Sequence, residues 1–404
     1  MRNEILNGKK IILGITGCIA AYKSAYLVRE FKKLGAETRV VMTPSATQFI
    51  APLTFSTLSG NQVIVNLFPE SKFENTSLST WHINYVLWAD LMIIAPTTVN
   101  TIAKIANGFS DNALTTLIAA SRCPIIISPA ADVDMYDNPV TKENLKKLTQ
   151  LGFYVIDAEE GELASGLKGK GRFPETQKLI DAVELILSGY KKDFTGKDIL
   201  ITAGPTYEDI DPVRFIGNRS SGKMGYQLAK AAFLRGADVT LISGPSNESL
   251  YPEIKLIKVR SALEMKSQVE HEIDNNNILV MAAAVSDYKP AQYINKKIKK
   301  EDKFLSIPLT ENPDILISLK DKKKIKVGFA LETDNELKNA MNKLKSKNID
   351  MIILNSLRDI KSGFERDTNK ITIIHKSGKR LEFPLMSKFQ VANKILQEIK
   401  NIYS

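Results

Sequence analysis

The stretch FIGNRSSGKMG, residues 215–225, has the residue types and the spacing to bind a phosphate. It contains the pattern G-x-x-x-x-G-K, in which Lys223 stands where a nucleotide-triphosphate loop has its phosphate-binding lysine. The next residue, however, is Met224, where that loop needs a serine or threonine hydroxyl for magnesium. Such a loop also follows its strand directly, whereas residues 203–216 separate this motif from the apolar run before it. We therefore predict that residues 220–225 open a helix whose N-terminus binds an anion, and that a nucleotide binds elsewhere.

Hydroxyl and amide side chains follow two apolar runs in the first half of the chain. Thr43 and Ser45 come after one run, and Thr98, Asn100 and Thr101 come after another. Ligands of open α/β sheets bind at the carboxyl ends of the strands, so these side chains are predicted to meet at one crevice. Polar residues at strand ends are more often simple helix caps, and that alternative stays open.

His82, in the stretch TWHINYVLWADL, is one of three histidines in the chain. Its imidazole suits proton transfer near neutral pH. A lone histidine is more often structural, so composition alone does not decide between the two roles. The other two, His271 and His375, match no motif, and we expect both on the surface.

One pattern occurs twice and predicts the elements that position these residues. GKKIILGITG begins at residue 8 and GKDILITAGP at residue 196, and each is an apolar strand that ends in a glycine turn. A helical pattern, a glycine (Gly35 or Gly236) and a second strand follow each copy. Glycine is expected there because helices often end in a left-handed residue. Further apolar runs that predict strands lie at 91–96, 124–130, 278–285 and 326–332. Alternating strands and helices predict an α/β fold with two tandem doubly wound, Rossmann-like parallel-sheet domains.

The polar stretch LSGYKKDFTGKD, residues 187–198, predicts the boundary between the two domains, which we place at 1–190 and 191–404. The 404-residue chain is 44% hydrophobic and 25% charged, as globular proteins are. No run approaches the roughly 20 apolar residues of a membrane span, so no membrane is expected as a partner. The first apolar run is interpreted as a buried strand rather than as a signal peptide.

The net charge of +10 is compatible with several anionic partners. The sequence has no basic stripe interleaved with aromatic residues and no zinc-ligand spacing, so phosphorylated small molecules are expected and nucleic acid is not. The two cysteines, Cys18 and Cys123, are too few for a disulfide framework and indicate a reducing cytoplasm.

The motifs GITGCIAAYK, IAPTTVNTIAKIANGFSDN and SPAADVDMY resemble the flavin-dependent cysteine decarboxylases. The resemblance implies a flavodoxin-like flavoprotein domain that binds FMN and uses it to oxidise the substrate thiol, so that carbon dioxide can leave. It makes His82 the expected catalytic base and places the flavin ring near Thr98 and Asn100. The cofactor-binding residues that it implies are Gly17, Cys18, Ile19, Thr43, Ser45, Thr98, Asn100 and Thr101.

Two positions depart from the pattern of these decarboxylases. Asp132, which with Met135 is expected to bind substrate, replaces the usual asparagine. An ionised aspartate can only accept hydrogen bonds, so either Asp132 is protonated, or it binds something other than the substrate carboxylate, or it is only a turn residue. Ser165, in the Gly-rich stretch GELASGLKGKGRF, stands where the family commonly has a catalytic cysteine in a flap over the site, and a hydroxyl is a far weaker acid than a thiol. A plain mobile loop is the alternative for that stretch.

The second half, from ITAGPTYEDIDPVRFIGNRSSGKMG onward, resembles the phosphopantothenate–cysteine ligases. The resemblance implies that Arg214 and Asn218 act on an acyl-nucleotide intermediate and that Ser221, Gly222 and Lys223 hold the substrate phosphate. The CTP-binding residues that it implies are Met281, Ala282, Ala283, Asp287, Lys297, Pro313, Asp314, Ile315, Leu316, Phe329, Lys343 and Lys347.

Two lysine-rich stretches are interpreted differently. NKKIKKEDKF, residues 295–304, would ordinarily be a solvated basic loop. The resemblance implies instead that it closes over the site and that Lys297 stabilises negative charge during cytidylyl transfer. KDKKKIK, residues 320–326, matches no functional motif and is expected to be a solvated turn.

Together the halves resemble bifunctional enzymes of coenzyme A biosynthesis. The resemblance implies that CTP activates 4′-phosphopantothenate, that cysteine displaces CMP, and that the flavoprotein half decarboxylates the product to 4′-phosphopantetheine. It also implies Mg²⁺ held by phosphates and water, and a homo-oligomer of trimeric decarboxylase and dimeric ligase domains, together a dodecamer. One alternative is a ligase joined to a non-catalytic flavin-binding scaffold. The other, a dinucleotide-dependent reductase, lacks a complete G-x-G-x-x-G motif.

Overall fold

The computed structural model describes residues 4–68, 80–299, 305–332, 335–356 and 366–403. The chain divides into two compact units, Met1–Gly189 and Tyr190–Ser404. Within the described ranges, none of the helices has the length and apolar character needed to cross a membrane.

The first unit is built around a parallel sheet with the strand order β2-β1-β3-β4-β5. Strands β6 and β7 form a separate antiparallel hairpin. The strands are β1 Lys10–Ile15, β2 Glu37–Met42, β3 Leu91–Thr97, β4 Ile125–Pro129, β5 Tyr154–Val155, β6 Glu159–Glu162 and β7 Lys168–Arg172. The α-helices are α1 Ser24–Lys33, α2 Pro52–Ser59, α3 Trp81–Trp88, α4 Val99–Ala106, α5 Ala113–Ala120, α6 Val133–Asp137, α7 Pro139–Gln150 and α8 Thr176–Leu187, with short 3₁₀ helices at Ile19–Lys23 and Pro44–Gln48.

The central strands of this sheet are apolar on both faces because the sheet lies inside the unit. All of β3, from Leu91 to Thr97, is buried, as are residues 11–15 of β1. Continuous apolar runs of this kind are expected of parallel strands that are covered on both sides. Helix α1 ends at Gly35 with φ +91°, the left-handed value predicted for that glycine.

The second unit contains a larger sheet with the order β12-β11-β8-β13-β16-β17-β19-β20. Its strands are β8 Asp198–Ala203, β9 Tyr207–Asp209, β10 Phe215–Gly217, β11 Asp238–Ser243, β12 Lys255–Lys258, β13 Ile278–Met281, β14 Tyr288–Pro290, β15 Leu309–Glu311, β16 Ile325–Glu332, β17 Met351–Ser356, β18 Thr368–Asn369, β19 Ile371–His375, β20 Arg380–Glu382 and β21 Met386–Ser387. The helices are α9 Lys223–Leu234, α10 Ala262–Glu272, α11 Ile315–Ser318, α12 Glu336–Ser346 and α13 Lys388–Tyr403, with a 3₁₀ helix at Ile273–Asn275.

These two sheets confirm the predicted α/β fold with tandem parallel sheets. Pairing is parallel from β12 to β17, and the second unit's repeat β8–α9–β11 has the same plan as β1–α1–β2. Two details were not predicted. Strands β19 and β20 add an antiparallel edge, and β13 ends at Met281, so the predicted strand 278–285 is too long.

Helix α9 is held at its C-terminal end by a buried ion pair. The guanidinium of Arg235 donates from Nε and Nη2 to the two carboxylate oxygens of Asp193, at 2.8 and 2.7 Å. The hydrogen bond from Arg235, opposed by burial and helped by Lys400, lowers the pKa of Asp193 to about 2. Lys400 lies on α13, which packs along α9, so this cluster sets the position of both helices.

His375 is not a surface residue, which corrects the prediction from sequence. It lies buried at the end of β19, with Nε2 2.9 Å from a carboxylate oxygen of Glu398 on α13. Burial raises the pKa of Glu398, but hydrogen bonds from Lys379 and His375 hold it below its ordinary value. A carboxylate partner 23 residues away accommodates this histidine inside the unit.

The lysine-rich stretch 320–326 is not entirely a solvated turn either. Lys326 begins the buried part of β16, and its ammonium donates to the carbonyl oxygens of Leu319 and Lys320 at 3.0 and 2.9 Å. Burial lowers the pKa of Lys326. Lys322 and Lys323 are exposed, so the prediction is wrong for the end of the stretch, where β16 begins at Ile325.

Candidate active sites

The carboxyl ends of β1 and β3 are tied together by a buried hydroxyl that the sequence analysis did not single out. Thr16 Oγ1 donates to the carbonyl oxygen of Pro96 at 2.8 Å and accepts from the backbone N–H of Thr98 at 2.9 Å. Ser24 Oγ donates to the carbonyl oxygen of Ala95 at 2.6 Å. The turn after β1 is therefore fixed against the residues that precede α4. The motif GITG could have indicated this role for Thr16, because its threonine directly follows an apolar run.

The turns after β1 and β2 lie against each other. A Cβ atom placed on Gly17 would lie 2.6 Å from the Cβ of Ser45, so only glycine fits there. Cys18 and Ile19 start the 3₁₀ helix, and Ile19 is exposed. Burial raises the pKa of the Cys18 thiol, while the backbone N–H groups of Ala20 and Ala21 partly offset it.

Two of the predicted cofactor residues serve as a helix cap. Thr98 Oγ1 accepts from the N–H of Thr101 at 3.4 Å and lies 3.2 Å from Thr101 Oγ1. The capping alternative therefore holds for this pair. Asn100 is exposed, and its side chain has no hydrogen bond within the described part of the chain. That Asn100 contacts a cofactor stays a prediction.

Two strand-end hydroxyls fit a bound polar ligand. Thr43 Oγ1 follows β2 and Ser128 Oγ lies near the end of β4, and both atoms are buried without a hydrogen-bond partner among the described residues. Buried hydroxyls without a partner are unusual and call for one. The polar groups of a flavin would supply such partners, so the residues at these strand ends fit that cofactor.

The hairpin β6–β7 lies on the segment that contains Asp132. A Cβ on Gly171 would lie 2.2 Å from the carbonyl oxygen of Ala131, whose N–H donates to the Gly171 carbonyl at 3.1 Å. Asp132 precedes α6, but its side chain does not cap that helix. Ser165 is exposed at the tip of the hairpin, where its Oγ accepts from Leu167 N at 3.4 Å. The stem of the predicted flap is thus fixed at the turn that bears Asp132, while Ser165 faces solvent.

His82 lies in the first turn of α3, a helix that packs against α5. Its ring contacts Trp81 edge to face at 5.9 Å, and Trp81 is anchored in the core by a 3.0 Å hydrogen bond from Nε1 to the Leu67 carbonyl. Neither imidazole nitrogen of His82 makes a hydrogen bond to a described residue, and the side chain is half-buried. The ring is available for proton transfer.

The second unit contains a cavity of about 690 Å³ beside the carboxyl ends of β13, β16 and β17 and the start of α9. Most of the residues predicted for the ligase site line it. They are Asn218, Ser221, Gly222, Lys223, Met281, Ala282, Ala283, Asp287, Pro313, Asp314, Ile315, Leu316, Phe329, Lys343 and Lys347. The structure therefore brings these distant segments to one place; their individual roles stay predictions.

The start of α9 lies directly on the end of β8. Gly222 precedes the helix with φ +82°, and a Cβ there would lie 3.1 Å from the Cα of Gly204. A Cβ on Gly225 would lie 2.5 Å from the Cβ of Ala203. The motif SSGKMG thus opens a helix, as its sequence predicts, and presents that helix's N-terminus to the cavity.

Some polar groups that line the cavity are hydrogen-bonded within the protein. Asn218 Nδ2 donates to the carbonyl oxygens of Ala284 and Val285, at 3.1 and 3.0 Å. Asp314 caps α11 and pairs with Lys347 at 2.7 Å. Two further acceptors are the side-chain oxygens of Asn312 and Asn355. Both oxygens are buried without a partner among the described residues, and both residues line the cavity.

Arg214 and Lys297 do not line this cavity in the structure. Arg214 Nη1 pairs with Asp211 at 2.9 Å, and Lys297 is exposed on the segment after β14. Residues 300–304 of the predicted closing run lie outside the described residues. That this run closes over the site stays a prediction.

Lys388 is a cavity residue that sequence reasoning missed. It is the first residue of α13, is 5% exposed, and lines the cavity together with Lys223, which pairs with Asp367. Burial and the charge of Lys223 lower the pKa of Lys388 to about 8, against the opposing charges of Glu248 and Asp367. No local motif marks this lysine, because its burial depends on the packing of α13 against α9.

The described residues contain no group of three or more histidine, cysteine, aspartate and glutamate side chains that could hold a metal ion. We therefore assign no protein ligand to magnesium.

Comparison with known proteins covers both units. The family model Flavoprotein matches residues 2–188, and the model of the DNA/pantothenate metabolism flavoprotein C-terminal domain matches residues 194–403. The chain is 43% identical over 399 residues to the coenzyme A biosynthesis bifunctional protein CoaBC of Bacillus subtilis, covering 98% of this chain and 97% of that protein.

Two further relatives are similar over most of their length. The CoaBC protein of Vibrio cholerae is 42% identical over 401 residues, covering 98% of this chain and 99% of that protein. A cysteine/cysteine sulfinic acid decarboxylase of an unknown prokaryotic organism is 46% identical over 360 residues, covering 87% of this chain and 98% of that protein.

The lowered pKa of Lys388 predicts how stability depends on pH. Above pH 8 the folded chain releases this proton, whereas the unfolded chain keeps it up to about pH 10.4. The unfolded state then binds more protons, so rising pH favours the folded state. In phosphate-free buffer the unfolding temperature of the wild type, relative to Lys388→Met, should rise by about 3 °C from pH 7 to pH 10.

Lys394→Met is the matched control, because it removes an exposed lysine from the same helix. Its difference from the wild type should not change with pH. Equal pH dependence of the two variants would contradict the assignment for Lys388.

Proposed function

Because the chain belongs to the CoaBC family of coenzyme A biosynthesis and is a decarboxylase joined to a ligase, we propose a specific substrate sequence for it. The second unit couples 4′-phosphopantothenate to cysteine at the expense of CTP. The first unit, with FMN bound, then decarboxylates the product to 4′-phosphopantetheine. The observation that carries the ligase assignment is that a helix N-terminus and a strand end of small residues line one cavity.

The cavity supports separate places for the two phosphorylated substrates. The N-terminus of α9 with Lys223 and Lys388 provides positive charge for the phosphate of 4′-phosphopantothenate. Ala282 and Ala283 leave room for a nucleoside close to the backbone, and Lys343 provides a cation for its phosphates. A volume of about 690 Å³ is within the range of ligand sites.

The ligase reaction proceeds in two displacements. A carboxylate oxygen of 4′-phosphopantothenate attacks the α-phosphorus of CTP, and the bond to pyrophosphate breaks. The amine of cysteine then attacks the activated carbonyl carbon, loses a proton, and displaces CMP. Positioning and charge neutralisation by Lys297 and Arg214 supply the acceleration.

In the first unit, the side chains after β1 to β4 would hold FMN. Thr43 and Ser128 offer it buried hydroxyls, and the turn at Gly17 admits its close approach. When bound, the flavin supplies the two-electron acceptor that makes decarboxylation feasible. His82 takes a proton from substrate on an imidazole nitrogen, and the β6–β7 hairpin excludes water from the side that bears Asp132.

We also propose that the protein acts in the cytoplasm as a homo-oligomer of trimeric decarboxylase and dimeric ligase units. The resemblance of both halves supports this arrangement, and the free cysteines Cys18 and Cys123 support a reducing compartment.

The direct test is product analysis with the purified full-length protein. It should show flavin absorbance and convert 4′-phosphopantothenate, CTP and cysteine, with magnesium present, into 4′-phosphopantetheine detected by mass. A product that stops at the cysteine adduct would leave the ligase in place and make the first unit a flavin-binding scaffold. Absence of pyrophosphate would refute the CTP assignment.

Replacing His82 tests the proton-transfer role. His82→Asn should keep the flavin absorbance but reduce carbon dioxide release by about 10²–10⁴-fold, the typical contribution of general acid–base catalysis. Release is measured with phosphopantothenoylcysteine supplied directly, so that the ligase is not needed. His271→Asn, at an exposed histidine, is the control and should be unaffected. Unchanged release in His82→Asn would remove this residue from the mechanism.

Replacing Lys297 separates the two activities. Lys297→Gln should lower pyrophosphate formation by about 10²-fold or more, since it removes a charge that stabilises the transition state, while decarboxylation continues. Lys323→Gln removes another exposed lysine of the same unit and should leave both rates unchanged. Loss of both activities in Lys297→Gln would indicate misfolding instead of a catalytic defect.

A further inference from the structure

Asp211 has a buried carboxylate whose two oxygens both accept hydrogen bonds. Oδ1 accepts from the backbone N–H groups of Val213 and Arg214, at 2.8 and 2.7 Å. Oδ2 accepts from Nη1 of Arg214 at 2.9 Å and from the backbone N–H of Ile298 at 3.1 Å. The residue is 1% exposed and lies 87 positions before Ile298 in the sequence.

The bond to Ile298 is one of several that attach segment 294–298 to the turn 210–214. The N–H of Ile294 donates to the carbonyl oxygen of Ile210 at 3.0 Å. Arg214 Nη1 also donates to the carbonyl oxygen of Ile298, at 3.3 Å. Both polar groups of the Ile298 backbone are therefore bound to this turn. Lys297, between these attachment points, has an exposed side chain on a fixed backbone.

Ionisation of Asp211 accounts for its four accepted bonds. Burial raises the pKa of this carboxyl, but the N–H groups of Ile298, Val213 and Arg214 and the charge of Arg214 hold it below its ordinary value. An ionised carboxylate offers acceptors on both oxygens, whereas an asparagine amide turns one side into a donor. In Asp211→Asn the amide N–H₂ would face either the Ile298 side or the Val213 side, where only donors lie.

We propose that Asp211 is a positioning residue of the ligase: its carboxylate fixes the backbone of the segment that carries Lys297, so that only the lysine side chain has to be ordered when substrate binds. The inference rests on the role proposed for Lys297. Ordering a long side chain on a free loop costs conformational entropy of both the backbone and the side chain. If the backbone is already attached, only the side-chain part of that cost remains.

The test compares Asp211→Asn with the wild type in the full-length protein, with pyrophosphate release as the readout. Its kcat should fall by about 10-fold or more, while the KM for CTP changes by less than about threefold, since the lost interaction acts in the transition state. Trypsin cleavage after Lys296 or Lys297, followed by mass analysis of the native protein, should become faster. Asp209→Asn is the matched control: Asp209 pairs with Arg260 at 2.7 Å, and this change should leave kcat and cleavage as in the wild type.

A double-mutant cycle identifies the residue through which Asp211 acts. In the Lys297→Gln background, measured at high enzyme concentration, Asp211→Asn should lower kcat by less than about a further twofold. The reason is that the two changes remove the same interaction. If Asp211→Asn lowered kcat as much in the Lys297→Gln background as in the wild type, the proposal would be overturned. Asp211 would then act through Arg214 instead. A kcat equal to that of the wild type, or unchanged cleavage, would also overturn it.

A retained KM for CTP and cooperative thermal unfolding of the second unit, in which Asp211 lies, show whether the variant is folded. Should Asp211→Asn fail to fold, Ile298→Pro removes the donated N–H and leaves the carboxylate in place, with the same expected loss of kcat. If the wild type itself forms no pyrophosphate from CTP, the proposed function fails. If the wild type is active and the variants match it, only the role of Asp211 fails.

Discussion

The second unit depends on a close contact between the first turn of α9 and the end of β8, which leaves no room for side chains at the glycines of that turn. A Cβ on Gly225 would lie 2.5 Å from the Cβ of Ala203, and one on Gly222 would lie 3.1 Å from Gly204. The helix therefore begins at the edge of the sheet, with its N-terminus open to the cavity. Asp193 and Arg235 fix its other end to α13, and α13 in turn brings Lys388 to the same cavity. The close contact between α9 and β8 thus helps to determine where the buried Lys388 lies.

The first unit uses the same edge of a parallel sheet with different chemistry. Its strand ends carry hydroxyls instead of cations, and Thr16 binds the turns after β1 and β3 to each other. Thr43 and Ser128 are left buried without a partner in the described chain. Hydroxyls suit a cofactor that is held largely by hydrogen bonds, and the lysines of the second unit suit substrates with several negative charges. The two units share a fold, and their chemistry differs through the side chains at one edge.

The sequence predicted both sheets because strand–helix periodicity and glycine stops are local signals. Many of the cavity-lining residues were implied by the resemblance to the ligases, because they stand in that family's motifs. The failures have a common cause. His375, Lys326 and Lys388 are buried polar residues whose accommodation depends on groups contributed by other elements, and no local pattern reports those groups. The antiparallel strand β19 was missed for a related reason: an apolar run of five residues does not specify the direction in which it pairs. Asp211 lies within the stretch that resembles the ligases, but no local pattern indicates its role, since its partner Ile298 is 87 residues away.

Burial has different consequences for the two lysines that are proposed to act in the second unit, Lys388 and Lys297. A lysine buried in the cavity, such as Lys388, has a pKa close to 8 and loses charge within the range where enzymes work. An exposed lysine on a fixed backbone avoids the cost of desolvation. The buried charge is that of Asp211, whose carboxylate is ionised and hydrogen-bonded through both oxygens, while Lys297 is exposed to solvent. The buried charge that orders the segment is thus separate from the exposed lysine, so the backbone is fixed without burial of Lys297.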